Sequence, residues 1–375
     1  MKGGALRGQG TYGCVFQPAL LCRGSKNPTD PNKVGKITDY ADAKNELRIA
    51  KYVRGLPEYQ KYLIISEAGS CIPRAKSKQL DPDIDKCKFS EDLELKTTVQ
   101  LIMPYGGLPL SRINMDPQRF DFFRFMEQIL AIGTFLVLND ICHFDLWGQN
   151  ILFDNQNNPR LIDFGFTFQP SKLLSSDLYL RWRELAYDYD TEPPEVTLMH
   201  AAQQQGIRVE DAIMQLKKDL PALHNLTVIC GVSPNKWATE LYKWSKTSHS
   251  FQNRDWYSCW KTYWPGFDAW AIGALLLSIL EIQLRFKSFQ MSPKWLEKGP
   301  LIKNILIGLC QPHPAYRLDA VEALNILTAG KHPLLTAIPI FIESEDDDAS
   351  SENSVEPLSG REWIEEKKAR RQLLS

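Results

Sequence analysis

Several things are scarce in this sequence. Its eight cysteines contain no C-x-x-C pair and no dense framework. Such a scatter reads as reduced thiols in an intracellular protein rather than a disulfide scaffold. A zinc site on Cys71 and Cys87 has little support, because neither has a close second ligand. Charge of one sign is also missing. With 44 basic and 45 acidic residues the net charge is −1, so no long-range field for nucleic acid is expected. The longest apolar run, Ala269 to Leu280, is too short for a bilayer of about 30 Å and reads as a buried core helix. "MKGGALRGQG" at the start lacks the apolar core of a signal peptide. There is no internal repeat. These absences predict a globular protein of the cytoplasm with neither a nucleic-acid nor a membrane partner. They say nothing of oligomeric state.

What is present changes character along the chain. The first hundred residues mix strand-like runs ("CVFQPALLC", "KYLIISEA", "TTVQLIMPY") with one helical pattern, Tyr40 to Tyr52. "YGGLPL" from Tyr105 reads as a hinge. Asp116-Pro117 then reads as an N-cap with proline at the first helical position. Apolar residues recur at helical spacing through Phe120, Phe123, Met126, Ile129, Leu130 and Gly133. The expected class is α+β, with a β-rich lobe over residues 1–103, a hinge at 104–107 and a helical lobe over 108–335. Residues 336–375 are expected to be a tail. Seven acidic residues and no basic one lie between Glu343 and Glu356, too little apolar surface to offset ordering. For "REWIEEKKARRQLLS" a solvated tail outweighs a short amphipathic helix.

The chemistry begins at "GQGTYGCV". Glycines 8, 10 and 13 let backbone N–H groups approach phosphates closely. The spacing alone is weak, since dinucleotide folds share it. A dinucleotide motif opens into a helix, whereas here "CVFQPALL" reads as strand. Lys36 follows in "NKVGKITD", with Glu46 ten positions on as the carboxylate to hold it. Lys33 is a rival of less weight. The bland reading makes Lys36 a surface lysine.

"HFDLWGQNILF" carries Asp145 and Asn150. Asp163 of "LIDFGF" follows Asp145 by 18 positions, after a strand–turn–strand pattern with its turn at Asn155–Asn158. An amide oxygen and a carboxylate on one point suit Mg²⁺, a hard cation. Asp145 is then placed to take a proton from an attacking hydroxyl. Singly, each is as readily an Asx turn or a cap.

Together these residues resemble the eukaryotic-type protein kinases: glycine loop, strand lysine, helix glutamate, catalytic loop, Asp-Phe-Gly. "PPE" (Pro193 to Glu195) resembles the family's Ala-Pro-Glu. "FDAWAIGALLLSIL" with Asp268 and Gly273 resembles its central buried helix, and Arg317 of "HPAYRLDAVEAL" its partner for Glu195. The likeness covers roughly residues 3 to 330. Its closest flavour is the divergent serine/threonine kinases of large nucleocytoplasmic DNA viruses, which places the chain in host cytoplasm or virion.

The resemblance implies a two-lobed kinase fold transferring the ATP γ-phosphate to serine or threonine of a protein substrate, with ATP and Mg²⁺. It assigns nucleotide binding to Gly8, Gln9, Gly10, Thr11, Tyr12, Gly13, Val15 and Lys36, with Met103 and Tyr105 at the hinge. Catalysis falls to Asp145, Lys36 and Glu46, and metal binding to Asn150 and Asp163.

Four departures stand out. Phe144 replaces the arginine that in the family binds an activation-loop phosphate. The expectation is activity without phosphorylation there, which phosphatase treatment tests. Trp147 replaces a lysine near the γ-phosphate, and Gln149 does not supply the tyrosine-kinase substitute. Arg181 and Arg183 are candidates for the missing cation, although a surface role carries more weight. Asp268 follows Glu195 by 73 positions, so an insertion at about 196–263 is expected. It holds a helical pattern (Ile207, Val209, Ile213, Leu216, Leu220) and tryptophans 237, 244, 256, 260 and 264. An added helical subdomain outweighs a docking surface there. Residues 56–98 are expanded, and "SKQLDPDIDKCKFSEDLE" reads as a polar loop. Two alternatives remain open. One is a pseudokinase acting as a nucleotide-binding or scaffold module. The other is a small-molecule phosphotransferase.

Overall fold

The computed structural model describes residues 5–10, 13–25, 30–79, 83–88, 98–336 and 359–374. The chain forms two units: Met1–Leu108 with Leu152–Thr167, and Pro109–Ile151 with Phe168–Ser375. Residues 152–167 therefore belong with the N-terminal unit and not, as expected, with the helical region.

The first unit is built on an antiparallel sheet of β1 (Ala5–Gly10), β2 (Gly13–Gln17), β3 (Lys33–Asp39), β4 (Ser70–Cys71) and β5 (Thr98–Pro104), ordered β1-β2-β3-β5-β4. Pro18 ends β2, since it has no N–H for a ladder. A Cβ on Gly13 would lie 2.1 Å from the Ile37 carbonyl oxygen. Strands β2 and β3 approach as they do because residue 13 carries no side chain.

Helix α1 (Tyr40–Arg54) follows β3 at once and buries Ala43, Glu46, Ile49, Ala50 and Val53. Glu46 thus occupies a core-facing position at helical spacing. Short strands β6 (Leu108–Pro109), β7 (Ile151–Phe153) and β8 (Pro159–Leu161) form a second sheet in that order. The turn between β7 and β8 is closed by the Asp154 carboxylate, which accepts from the N–H groups of Gln156 (2.8 Å) and Asn158 (2.9 Å).

Two expectations fail in this unit. "KYLIISEA" is not a strand. It buries Leu63, Ile64 and Ile65 and makes one isolated bridge, from Leu63 to Leu161. The thiols are not all reduced either, for Cys14 pairs with Cys87 and Cys22 with Cys71. These partners lie 73 and 49 positions apart, so only the tertiary fold brings them together. Cys71 and Cys87 sit in different disulfides, which removes the zinc alternative.

The second unit is helical: α2 (Phe122–Leu138), α3 (Pro194–His200), α4 (Val209–Asp219), α5 (Pro221–Cys230), α6 (Pro234–Thr247), α7 (His249–Gln252), α8 (Trp256–Tyr263), α9 (Pro265–Gln283), α10 (Lys287–Gln290), α11 (Pro293–Leu309), α12 (Ala320–Thr328), α13 (Pro333–Thr336) and α14 (Gly360–Leu374). The Asp116-Pro117 start is displaced. Asp116 accepts from Gln118 N–H (2.8 Å) and closes a turn, whereas Asp121 caps α2 by accepting from Phe123 (3.0 Å) and Arg124 (3.1 Å). Gly133 on α2 lets α9 and α12 come close. A Cβ there would meet Ile272 at 2.6 Å and Ala320 at 2.7 Å.

By length and composition α9 is apolar enough to cross a membrane, and 78% of its most apolar 18-residue stretch is buried inside the protein. Helices α4 to α8 lie in the stretch where an insertion is expected. Its tryptophans 237, 244, 256, 260 and 264 are all buried, so they form core and not a docking surface. The expected acidic stretch, 337–358, lies outside the described residues. The last stretch is a packed helix rather than a solvated tail. On α14, Trp363 donates to the Asp319 carboxylate (2.7 Å), and Lys367 pairs with Asp319 (2.8 Å) and Glu322 (2.7 Å).

Candidate active site

In the first unit, β3 presents Lys36 to two carboxylates. Its Nζ lies 2.9 Å from Glu46 Oε2 and 2.7 Å from Asp163 Oδ1. Glu46 arrives from the buried face of α1. Asp163 follows β8 and holds a left-handed backbone, φ +67°. Burial pushes the Lys36 ammonium down, but the two carboxylates outweigh it and hold the group above its ordinary value. Burial likewise pushes the Glu46 carboxyl up, against the pull of Lys36. The result is a charged lysine shared between a buried carboxylate and a more exposed one, 3% against 37%. Lys33 is spoken for elsewhere, by Glu67 at 2.7 Å.

The glycine-rich stretch is a hairpin between β1 and β2, with Gly10 opposite Gly13. Gly8, Gln9 and Gly10 are exposed; Thr11 and Tyr12 lie outside the described residues. Gln9 accepts from Lys88 N–H (3.1 Å). Val15 pairs with Lys36 in the ladder and packs, with Leu152 and Ile162, on a buried cluster that includes Val34, Leu101 and Met103. Tyr105 is exposed, and its N–H donates to Asn32 O (2.8 Å).

In the second unit the loop His143–Asn150 hangs from α9. The Asp268 carboxylate accepts from the backbone N–H of His143 (2.6 Å) and of Phe144 (2.8 Å). Burial raises the Asp268 carboxyl, opposed by His143 and these two N–H groups. Phe144 is left-handed, φ +61°, and its ring packs on Trp260 at 4.5 Å and Phe267 at 5.7 Å.

Asp145 then receives three side-chain donors. Arg183 (2.9 Å) and Tyr189 (3.1 Å) reach Oδ1, and the Asn150 amide nitrogen (2.9 Å) reaches Oδ2. Trp147 is 38% exposed. Glu195 and Arg317 form a bidentate pair, both N–O distances 2.7 Å, with both side chains fully buried.

No protein-family model and no curated protein matches this sequence.

The chemistry must therefore be read from the residues. The Lys36 group supplies a fixed positive charge with an accessible carboxylate beside it, a donor set suited to phosphate and a hard cation. The Asp145–Asn150 loop offers an oriented carboxylate and an amide oxygen.

One positioning residue carries no signal in the sequence. Asn45, one position before Glu46, donates through its amide to the carbonyls of Gly165 (2.8 Å) and Thr167 (2.9 Å), fixing the backbone after Asp163. No spacing marks it. Arg183 and Arg181, named as candidate cations with a surface role expected, are both inside: Arg183 is largely buried on Asp145, and Arg181 donates to Asp177 O (2.6 Å). Their signal, an arginine pair in an aromatic stretch, is too common to be specific.

Proposed function

We propose that this chain is a protein kinase of the eukaryotic serine/threonine type, adopting the two-lobed kinase fold and using ATP and Mg²⁺ on a protein substrate. The observation that carries this reading is Lys36 held by both Glu46 and Asp163, three residues from separate motifs joined in one ion-pair group. A lysine so held is charged and preorganised for phosphate oxygens, the main requirement of phosphoryl transfer.

Each residue then has a task. Lys36 binds phosphate, and Glu46 keeps it in place. Val15, Met103, Leu152 and Ile162 offer apolar contact to the adenine. The glycine hairpin brings backbone N–H groups to the phosphates. Asp145 orients the substrate hydroxyl and accepts its proton. Asp163 and Asn150 are the oxygen ligands suited to Mg²⁺, which when bound neutralises charge on the phosphates. Asp163 is the more exposed of the lysine's two carboxylates, which suits it to that task. The likeness to kinases of large DNA viruses stays part of this proposal, together with a cytoplasmic or virion setting.

The test is ³²P transfer from Mg·ATP to a basic protein such as histone, with Asp163→Ala and Lys36→Met as controls. Phosphoserine or phosphothreonine formed by the wild type and lost in both variants is the expected result. Equal signals in all three would leave a scaffold or pseudokinase. One observation favours that second reading: Trp147 sits half-exposed where a lysine would serve the γ-phosphate. Transfer to aminoglycosides, choline or sugars but not to protein would favour the small-molecule phosphotransferase.

A further inference from the structure

The Arg183 guanidinium does more than pair with a carboxylate. One nitrogen donates to both Asp145 Oδ1 (2.9 Å) and the Phe144 carbonyl (2.8 Å). The group also lies over two rings, Phe144 at 5.4 Å and Tyr189 at 5.1 Å. It is thus seated between aromatic faces, where a cation is stabilised and its direction fixed. Tyr189 adds its hydroxyl to the same Oδ1.

A carboxylate has about four acceptor sites, two on each oxygen. Oδ1 of Asp145 has both filled, by Arg183 and Tyr189. Oδ2 has one filled, by Asn150, and retains one. From this we infer that Arg183 is the positioning residue of Asp145, locking its carboxylate so that Oδ2 alone meets an incoming hydroxyl. The inference rests on the kinase reading for what that hydroxyl belongs to.

It also accounts for Phe144. The ring there provides the seat, and the cation comes from 39 positions downstream. A segment that carries its own cation to the carboxylate needs no phosphate to hold it there. Arg183 does not replace the lysine missing at 147 as a phosphate ligand, because its guanidinium is seated on Asp145 and Phe144 with only 15% of the side chain exposed. Its effect is therefore on turnover and not on nucleotide affinity.

The experiment compares Arg183→Ala, Arg183→Lys, Tyr189→Phe and Asp145→Asn in two assays. In steady-state transfer, Arg183→Ala should lower kcat on the order of 10–100-fold with KM for ATP within about twofold. Arg183→Lys, or added guanidinium ion with Arg183→Ala, should restore part of that loss. Guanidinium should do nothing for Asp145→Asn. In hydrogen–deuterium exchange, Arg183→Ala and Asp145→Asn should each loosen the backbone of residues 182–192, and the double variant no further. A wild-type kcat in Arg183→Ala, or a loss that neither lysine nor guanidinium relieves, overturns the inference. Should the wild type transfer no phosphate, the kinase reading fails, and exchange still decides the positioning role. Unchanged protection in Arg183→Ala then rejects it.

Discussion

Glu195 meets Arg317 through two parallel hydrogen bonds of 2.7 Å, with neither side chain reaching solvent. Arg317 also donates to the Gln311 (2.9 Å) and Gly266 (3.2 Å) carbonyls and lies 5.1 Å from the Trp270 ring centre. The pair thereby ties α3 to α9 and to the turn before α12. Removing one partner leaves a buried charge without its counter-ion. Glu195→Gln should cost about 3–5 kcal/mol, read as a drop in the urea midpoint. A loss under 1 kcal/mol would mean that the charge is solvated by relaxation.

The glycines of the β1–β2 hairpin should separate fold from function. Gly13→Ala forces a Cβ against the Ile37 carbonyl and should cost roughly 1–3 kcal/mol of stability. Gly10→Ala meets nothing within 4 Å, so its stability should stay within about 0.5 kcal/mol of wild type. Under the kinase reading its Cβ intrudes where phosphates approach. Mg·ATP affinity should then fall roughly tenfold, about 1.4 kcal/mol, measurable by calorimetric titration.

Acid sensitivity has an identifiable contributor. Burial holds the His313 imidazole below its ordinary value of 6.5. Its folded pKa is thus depressed relative to the unfolded chain. Below about pH 6.5 the unfolded state takes a proton that the folded state refuses. The stability His313 contributes is complete above that pH and declines as pH falls through the folded pKa. His313→Gln should therefore lose less stability than wild type between pH 7 and 5, as measured by thermal melts across that range. Parallel curves would exclude the imidazole as the cause.

Thiol counting tests the cysteine pairing. Alkylation of the denatured, unreduced protein should modify Cys142, Cys230, Cys259 and Cys310, the free cysteines. Cys14, Cys22, Cys71 and Cys87 should react only after reduction. Peptide mass spectrometry distinguishes four modified residues from eight.

Lys36, Glu46 and Asp163 could be picked from sequence because each lies in a short motif whose spacing is local. Their meeting depends on β3, α1 and β8, elements whose strand or helix period is plain in the residues. Asp116 misled because Asp-Pro opens turns as readily as helices, and the choice fell to burial of Phe122 and Phe125 six to nine positions on. The cysteine pairs and the pairing of Arg183 with Asp145 were illegible for a different reason. Nothing local distinguishes a residue whose partner is dozens of positions away. The five tryptophans showed their size but not their direction, since the same residues build interfaces and cores.

Phe144 packs on Trp260 of α8, while Arg183 lies over the Phe144 ring, 5.4 Å from its centre. The three are interdependent. Arginine at position 144 would not fit this setting. It would drive a second cation among Trp260, Phe267 and Phe168, beside the guanidinium already there. Position 144 is thus read by two neighbours at once: a change there is felt at Trp260 and at Arg183, so substitutions at the three positions should not add.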